Sequence, residues 1–138
     1  MAFSISLRVA FDDVDHAGIV YYPRFFHYFH LAFEELLFTR LAEHGGYRAL
    51  IDVRKIGFPA VHCEADYQRP LRFGDRFAVD VTADELGDRS ITLRYVVRAE
   101  HDGAQIAVGK VVSAVVDLTR FRAISIPADL RAIFAALT

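Results

Sequence analysis

Alternation of apolar and polar positions dominates this chain. Phe3, Ile5, Leu7, Val9 and Phe11 alternate with mostly polar or small neighbours, the period-two pattern of a strand with one buried face. The pattern then changes. From Arg24 to Leu41 there is no Gly or Pro, and Phe25, Phe26, Tyr28, Phe29, Leu31, Ala32, Phe33, Leu36, Leu37, Phe38 and Leu41 cover most of a helical circumference. A helix apolar nearly all round is buried in a core or spans a membrane. Arg24, His27, His30, Glu34, Glu35 and Arg40 interrupt it, leaving no uncharged run near the roughly 20 residues a bilayer requires, so a core helix is predicted.

Strand periodicity returns after a stop at His44-Gly45-Gly46-Tyr47 and one further helical turn around Arg48 to Asp52. Pro59 to Leu71 places Val61, Cys63, Ala65 and Tyr67 on one face and His62, Glu64, Asp66 and Gln68 on the other. Turns at Phe73-Gly74-Asp75, Leu86-Gly87-Asp88 and His101-Asp102-Gly103 separate strands bearing Phe77, Val79, Val81 and Ala83, then Ile91, Leu93, Tyr95, Val97 and Ala99, then Gln105 to Leu118. The last is rich in Val on both faces, as expected of a strand covered on both sides. Phe121 to Ile126 adds a short terminal strand, and Pro127-Ala128-Asp129-Leu130 opens a final helix. A strand, a long helix, then successive strands predict one α+β domain over residues 1–138, an antiparallel sheet wrapped round a buried helix.

Composition narrows the function classes. With 54% hydrophobic and 25% charged residues over 138 positions the chain is long enough for one real core and is not disordered. Its formal net charge of -2 gives no general attraction to nucleic acid or anionic membrane. No basic region precedes an unbroken apolar stretch, so no secretory signal is read and a cytoplasmic location is expected. The lone Cys63 excludes an intrachain disulfide and a cysteine-based zinc site; on the apolar face of its strand it is expected to be a small core residue.

Candidate chemistry collects before the helix. Asp12, Asp13 and Asp15 form an acidic loop, Gly18 a turn, and Pro23 fits the first helical position. The loop is thereby delivered to the positive end of the helix, which can polarise a carbonyl or hold an anion. Asp15 has a plainer role open to it as a turn-former or cap, and ordinary solvation is expected for Asp12 and Asp13. His27, His30 and His62 can be drawn as a metal trio, but without the carboxylate or cysteine order usual in such sites no metal is expected. His62 and Cys63, adjacent on a strand, point to opposite faces and make a poor nucleophile pair.

The run Phe11-Asp12-Asp13-Val14-Asp15-His16-Ala17-Gly18-Ile19-Val20-Tyr21-Tyr22-Pro23-Arg24-Phe25 resembles the signature of the hot-dog-fold acyl-CoA thioesterases, specifically the 4-hydroxybenzoyl-CoA thioesterase type. Weaker similarity continues through Gly57-Phe58-Pro59, Ala65-Asp66-Tyr67, Pro70-Leu71 and Gly74-Asp75, covering most of the chain. The resemblance implies a hot-dog fold, a homodimer often doubled to a homotetramer with sites between subunits, and an acyl-CoA substrate whose coenzyme A is no separate cofactor. It implies Asp15 as the catalytic carboxylate, with Gly18 and Tyr22 in the turn and helix start, where backbone N–H groups bind the thioester oxygen. His16, Tyr21, Phe25 and Glu64 become candidate substrate contacts, and Arg89 and Ser90 candidate contacts to the CoA phosphates and pantetheine. A related branch carries His immediately before the helix where this chain has Tyr22, so a catalytic His there is excluded.

That chemistry suits a thioester, an activated acyl group with a good thiolate leaving group. One carboxylate, as nucleophile or as general base to a water, suffices beside an oxyanion-stabilising helix end. An aromatic or compact acyl group is expected from the rings at Tyr21, Tyr22, Phe25 and Phe26. The alternatives are a non-catalytic acyl-CoA-binding module of the same fold, which in familiar cases carries an appended domain for which there is no room here, and a hot-dog dehydratase, for which His16 beside Asp15 is too weak a motif.

Overall fold

The computed structural model describes residues 1–138. Five strands form one antiparallel sheet: β1 (Phe3–Arg8), β3 (Ala60–Tyr67), β4 (Arg76–Leu86), β5 (Ser90–Ala99) and β6 (Gln105–Ala114), in the spatial order β1-β4-β5-β6-β3. Short β2 (Ile56–Gly57), β7 (Val116–Asp117) and β8 (Arg122–Ala123) make a second, three-stranded sheet in the order β2-β7-β8. Helix α1 (Arg24–Arg40) lies against the large sheet, with α2 (Gly46–Asp52) following it and α3 (Ala128–Ala135) near the end of the chain. This is the expected antiparallel sheet around one long helix.

The core follows from the alternation. Phe77, Val79, Val81 and Ala83 of β4 and Ile91, Leu93, Tyr95, Val97 and Ala99 of β5 are all buried on the face that meets α1. From the helix come Phe25, Tyr28, Phe29, Ala32, Phe33, Leu36 and Leu37. Each fully buried Phe or Leu contributes about 1.5–3 kcal/mol relative to exposure. The Phe29 ring of α1 lies directly over Gly109 of β6, where an added Cβ would overlap it. Phe29 also stacks on Tyr95, with centroids 4.9 Å apart.

Several expectations are corrected. Phe11 is not in the first strand; it opens a 3-10 turn, Phe11–Asp13, closed by the Asp13 N–H on the Ala10 carbonyl at 3.1 Å, and is 81% exposed. α1 is buried on one side only. His27, His30, Glu35 and Phe38 are exposed, since a single sheet covers only the face it touches. The strand expected from Pro59 ends at Tyr67, and Cys63 is exposed rather than core, because edge strand β3 has almost nothing packed on it. The strand expected from Gln105 to Leu118 breaks after Ala114, where Val115 turns inward and the chain passes into the second sheet as β7.

Candidate active site

The acidic loop is a small hairpin. Val14 and Val20 form an antiparallel bridge, and between them the Asp15 N–H donates to the Ile19 carbonyl at 2.9 Å and the Gly18 N–H to the Asp15 carbonyl at 3.0 Å. Gly18 sits at φ +83°, a conformation that disfavours any side chain. Asp15 is exposed at the tip, and its Oδ1 accepts the Ala17 N–H at 2.8 Å, an Asx turn that fixes the carboxylate and leaves Oδ2 open. The returning limb runs through Ile19 and Val20, tied by the Val20 N–H to the Leu71 carbonyl at 2.8 Å, into Tyr21, Tyr22 and Pro23 at the N-terminus of α1. The Tyr22 N–H has no acceptor within the chain, while the Arg24, Phe25 and Phe26 N–H groups bond back to the Tyr21, Tyr22 and Pro23 carbonyls.

Asp13 holds this loop to the helix, a role that the sequence reading missed in assigning it to solvation. It is buried at 6% exposure; its Oδ2 accepts the Tyr28 hydroxyl and the Ala10 N–H, each at 2.8 Å, and its carbonyl accepts the Tyr21 N–H at 2.9 Å. Arg24 Nε lies 3.5 Å from Asp13 Oδ1. A buried carboxylate needs such partners. Burial, and then the Asp13 hydrogen bond, push the Tyr28 phenol far above its usual range, so Tyr28 remains a donor. The available sequence signal was the pair Arg24 and Tyr28 at i, i+4 on the helix, one cation and one hydroxyl behind an acid.

Around the helix start, Tyr22, Phe25 and Tyr67 form a ring cluster: Phe25 and Tyr67 centroids are 5.2 Å apart, and Tyr22 and Tyr67 6.4 Å. The Tyr67 hydroxyl donates to the Tyr22 carbonyl at 3.1 Å. These rings, with Ile19 and Leu71, border a groove of about 450 Å³. Tyr21 leans on Tyr22 at 5.4 Å, and His16 is exposed on the loop tip beside Asp15.

Other candidates lie elsewhere. Glu64 points to the outer side of β3, opposite the face Tyr67 presents to α1, and meets His62 Nε2 at 3.1 Å. Arg89 occupies the β4–β5 turn and Ser90 opens β5, and Asp88 Oδ2 lies 3.4 Å from Arg89 Nε. That turn is at the far end of β5 from the Asp15 loop, roughly 30 Å away along ten strand residues. One chain therefore joins Asp15, His16, Gly18, Tyr21, Tyr22 and Phe25, and not Glu64, Arg89 or Ser90. No three His, Cys, Asp or Glu side chains converge as a metal site, and no helix is long and apolar enough to cross a membrane.

Comparison with known proteins places this geometry in a family. A 1,4-dihydroxy-2-naphthoyl-CoA hydrolase of Prochlorococcus marinus (strain MIT 9303) is 30% identical over 104 residues, spanning 72% of this chain and 69% of the relative. The crystal structure of Slr0204, a 1,4-dihydroxy-2-naphthoyl-CoA thioesterase from Synechocystis, has the same fold, with a TM-score of 0.86 at 23% identity over 99% of this chain and 98% of that one. BH1999 gentisyl-coenzyme A thioesterase superposes with a TM-score of 0.80 at 29% identity over 94% and 99% of the two chains. The model of the thioesterase-like superfamily matches residues 9–134, nearly the whole domain from the end of β1 through α3, and the chain belongs to that superfamily.

Proposed function

We propose that the protein is an acyl-CoA thioesterase in which Asp15 acts on the thioester carbonyl beside the N-terminus of α1. The observation that carries this reading is the loop itself: a carboxylate with one open oxygen, two residues beyond a buried anchor, on a hairpin that runs without a break into an unpartnered N–H at Tyr22. A water attacks the thioester carbon, Asp15 takes its proton, the C–S bond breaks, and the proton passes to the departing thiolate, leaving acid and CoA thiol. The nucleophilic route differs only in passing through an Asp15 anhydride that water then opens. In both, the Tyr22 N–H and the helix dipole face the developing oxyanion.

An aromatic acyl group fits the ring cluster of Tyr22, Phe25 and Tyr67, since stacking adds about 0.5–1.5 kcal/mol beyond area burial. The hydrolase names of the relatives favour a fused-ring naphthoyl group over the 4-hydroxybenzoyl group of the type first suggested by the motif. The Ala17 N–H bond to Asp15 supports the competing reading, a turn-forming Asp in a non-catalytic acyl-CoA-binding module. One experiment separates them: thiol release from 1,4-dihydroxy-2-naphthoyl-, 4-hydroxybenzoyl-, short-chain and palmitoyl-CoA, by the wild type and Asp15→Asn. Aryl substrates are expected to show higher kcat/KM than palmitoyl-CoA, and Asp15→Asn to lower turnover about 10²–10⁴-fold, the scale of an acid–base group. Near-normal turnover in a folded Asp15→Asn protein would return Asp15 to turn-forming.

A further inference from the structure

Two residues other than glycine hold the left-handed backbone conformation, Lys55 at φ +56° and Phe121 at φ +52°, and the small sheet brings them to one end. Ile56 of β2 pairs with Asp117 of β7, and the Leu118 N–H donates to the Lys55 carbonyl at 2.8 Å. Lys55 therefore lies beside the start of the β7–β8 turn, of which Phe121 is the last residue; Arg120 precedes it and Arg122 opens β8. A bulky residue is disfavoured in this conformation by its own Cβ. Phe121 has no burial to offset that: its ring is 66% exposed and no other ring packs on it. Val53, also exposed, caps α2 two residues before Lys55. Lys55, Arg120 and Arg122 are exposed and take part in no ion pair, whereas the neighbouring Arg54 is engaged by Asp129 at 2.6 and 3.0 Å. The acid opposite Arg122, Asp117, accepts the Thr119 N–H instead. A net charge of -2 over the whole chain thus conceals a local positive excess around an exposed ring.

We propose that the β7–β8 turn makes a reversible contact with an anionic lipid bilayer, Phe121 entering the acyl boundary while Arg120, Arg122 and Lys55 meet headgroup phosphates. The turn is a tip and not a cavity: none of Val53, Lys55, Arg120, Phe121 and Arg122 lines any of the main grooves of the molecule. It therefore suits an extended, yielding surface better than a small ligand. A ring with a guanidinium on each side is the order a bilayer interface accepts, because the apolar side chain reaches the boundary while the charged heads stay at the level of the phosphates. Val53 adds aliphatic area to the same end. A nucleic acid would stack on Phe121 but gains nothing from Val53, and it is held by a longer track of cations than this tip offers. The contact lies on the membrane and does not cross it, and it is independent of the thioesterase reading.

The test is sedimentation of the full chain with extruded vesicles, one set of phosphatidylcholine alone and one of equal parts phosphatidylcholine and phosphatidylglycerol. The wild type is expected to pellet with the anionic set only and to be released as salt is raised, since the attraction is screened. Phe121→Asn is the informative variant. Asn tolerates the left-handed backbone, so thermal unfolding is expected to be unchanged while the partition coefficient falls at least tenfold. Arg120→Glu with Arg122→Glu is expected to lose as much. Arg8→Glu with Arg94→Glu, the same change of charge on exposed, unpaired arginines of the large sheet, is expected to keep most of the binding. Equal pelleting with both vesicle sets, pelleting with neither, or binding that survives Phe121→Asn overturns the proposal. So does a fall in the thermal stability of Phe121→Asn, which would give the ring a place in the fold instead. Release by glycerol 3-phosphate at the phosphate concentration of the lipid would reduce the tip to a small-anion contact, and tighter binding to single-stranded RNA than to anionic vesicles would give it to a nucleic acid; either result overturns the bilayer contact.

Discussion

Asp13 and Asp15 are two positions apart on one loop, yet one carboxylate is shut in by Tyr28, Arg24 and the Ala10 N–H while the other stands in solvent. Burial of an acid is tolerable only while its donors remain. Tyr28→Phe removes one donor without changing shape, and is expected to lower stability by about 1–3 kcal/mol, the usual result of leaving a buried acceptor short. It should also lower kcat more than it raises KM, because the loop that aims Asp15 loses its tie to α1 while the ring-lined groove is untouched. Urea unfolding and steady-state kinetics on the same preparation check both; unchanged stability would mean that the Tyr28–Asp13 bond adds nothing to the loop. The motif singled out this loop as the candidate place of chemistry, but the division of labour within it was not legible. An aspartate's burial is decided by which side of the turn faces α1, and the letters are identical on either side.

Among the elements, the central strands were read correctly because each is covered on one face only, so Phe77 to Ala83 and Ile91 to Ala99 alternate without ambiguity. Edge strand β3 alternates as well, yet alternation records which residues share a face and not whether anything covers that face. That is why Cys63 was expected inside. The end of β6 was hidden by Val111, Val112, Val115 and Val116, a run with no turn residue at the point where the chain changes sheets. Gly109 gave no sign of its role either. With the Phe29 ring in the space of its missing side chain, Gly109→Ala is expected to cost about 1–3 kcal/mol by overpacking, and thermal unfolding of Gly109→Ala alone and with Phe29→Leu tests it, the second change relieving part of the loss. On the opposite face of the sheet, Arg98 reaches Asp80 with two bonds of 2.6 and 2.9 Å and holds its carboxyl below the usual range, as Arg54 does for Asp129. A depressed folded-state value contributes stability above the unfolded pKa, near 3.9, that is lost as pH falls through the folded value. Asp80→Asn together with Asp129→Asn should therefore reduce stability at pH 7 and flatten its decline below about pH 4, seen as a smaller difference between urea midpoints at the two pH values.

For the whole molecule, the decisive feature is the open side of β3. Seven of its eight residues are exposed, and its outer edge has no strand beside it. Such an edge invites pairing with another chain, and a second copy meeting it antiparallel about a two-fold axis continues the sheet through both subunits. That pairing turns the far end of one sheet toward the Asp15 end of the other, and would bring Arg89 and Ser90 of one subunit toward the other's loop. A homodimer is thus expected, and sedimentation should find at least a dimer at micromolar concentration. Under the proposed thioesterase reading, the open edge would make catalysis answerable to mass action. If the site is complete only in the pair, specific activity will not be a constant of the protein. It will fall as the sample is diluted past the dissociation constant of the dimer, and progress curves begun from a concentrated stock will slow as subunits part. A specific activity that stays level through dilution, in a sample that sedimentation shows to be monomeric, would assign the whole reaction to one chain.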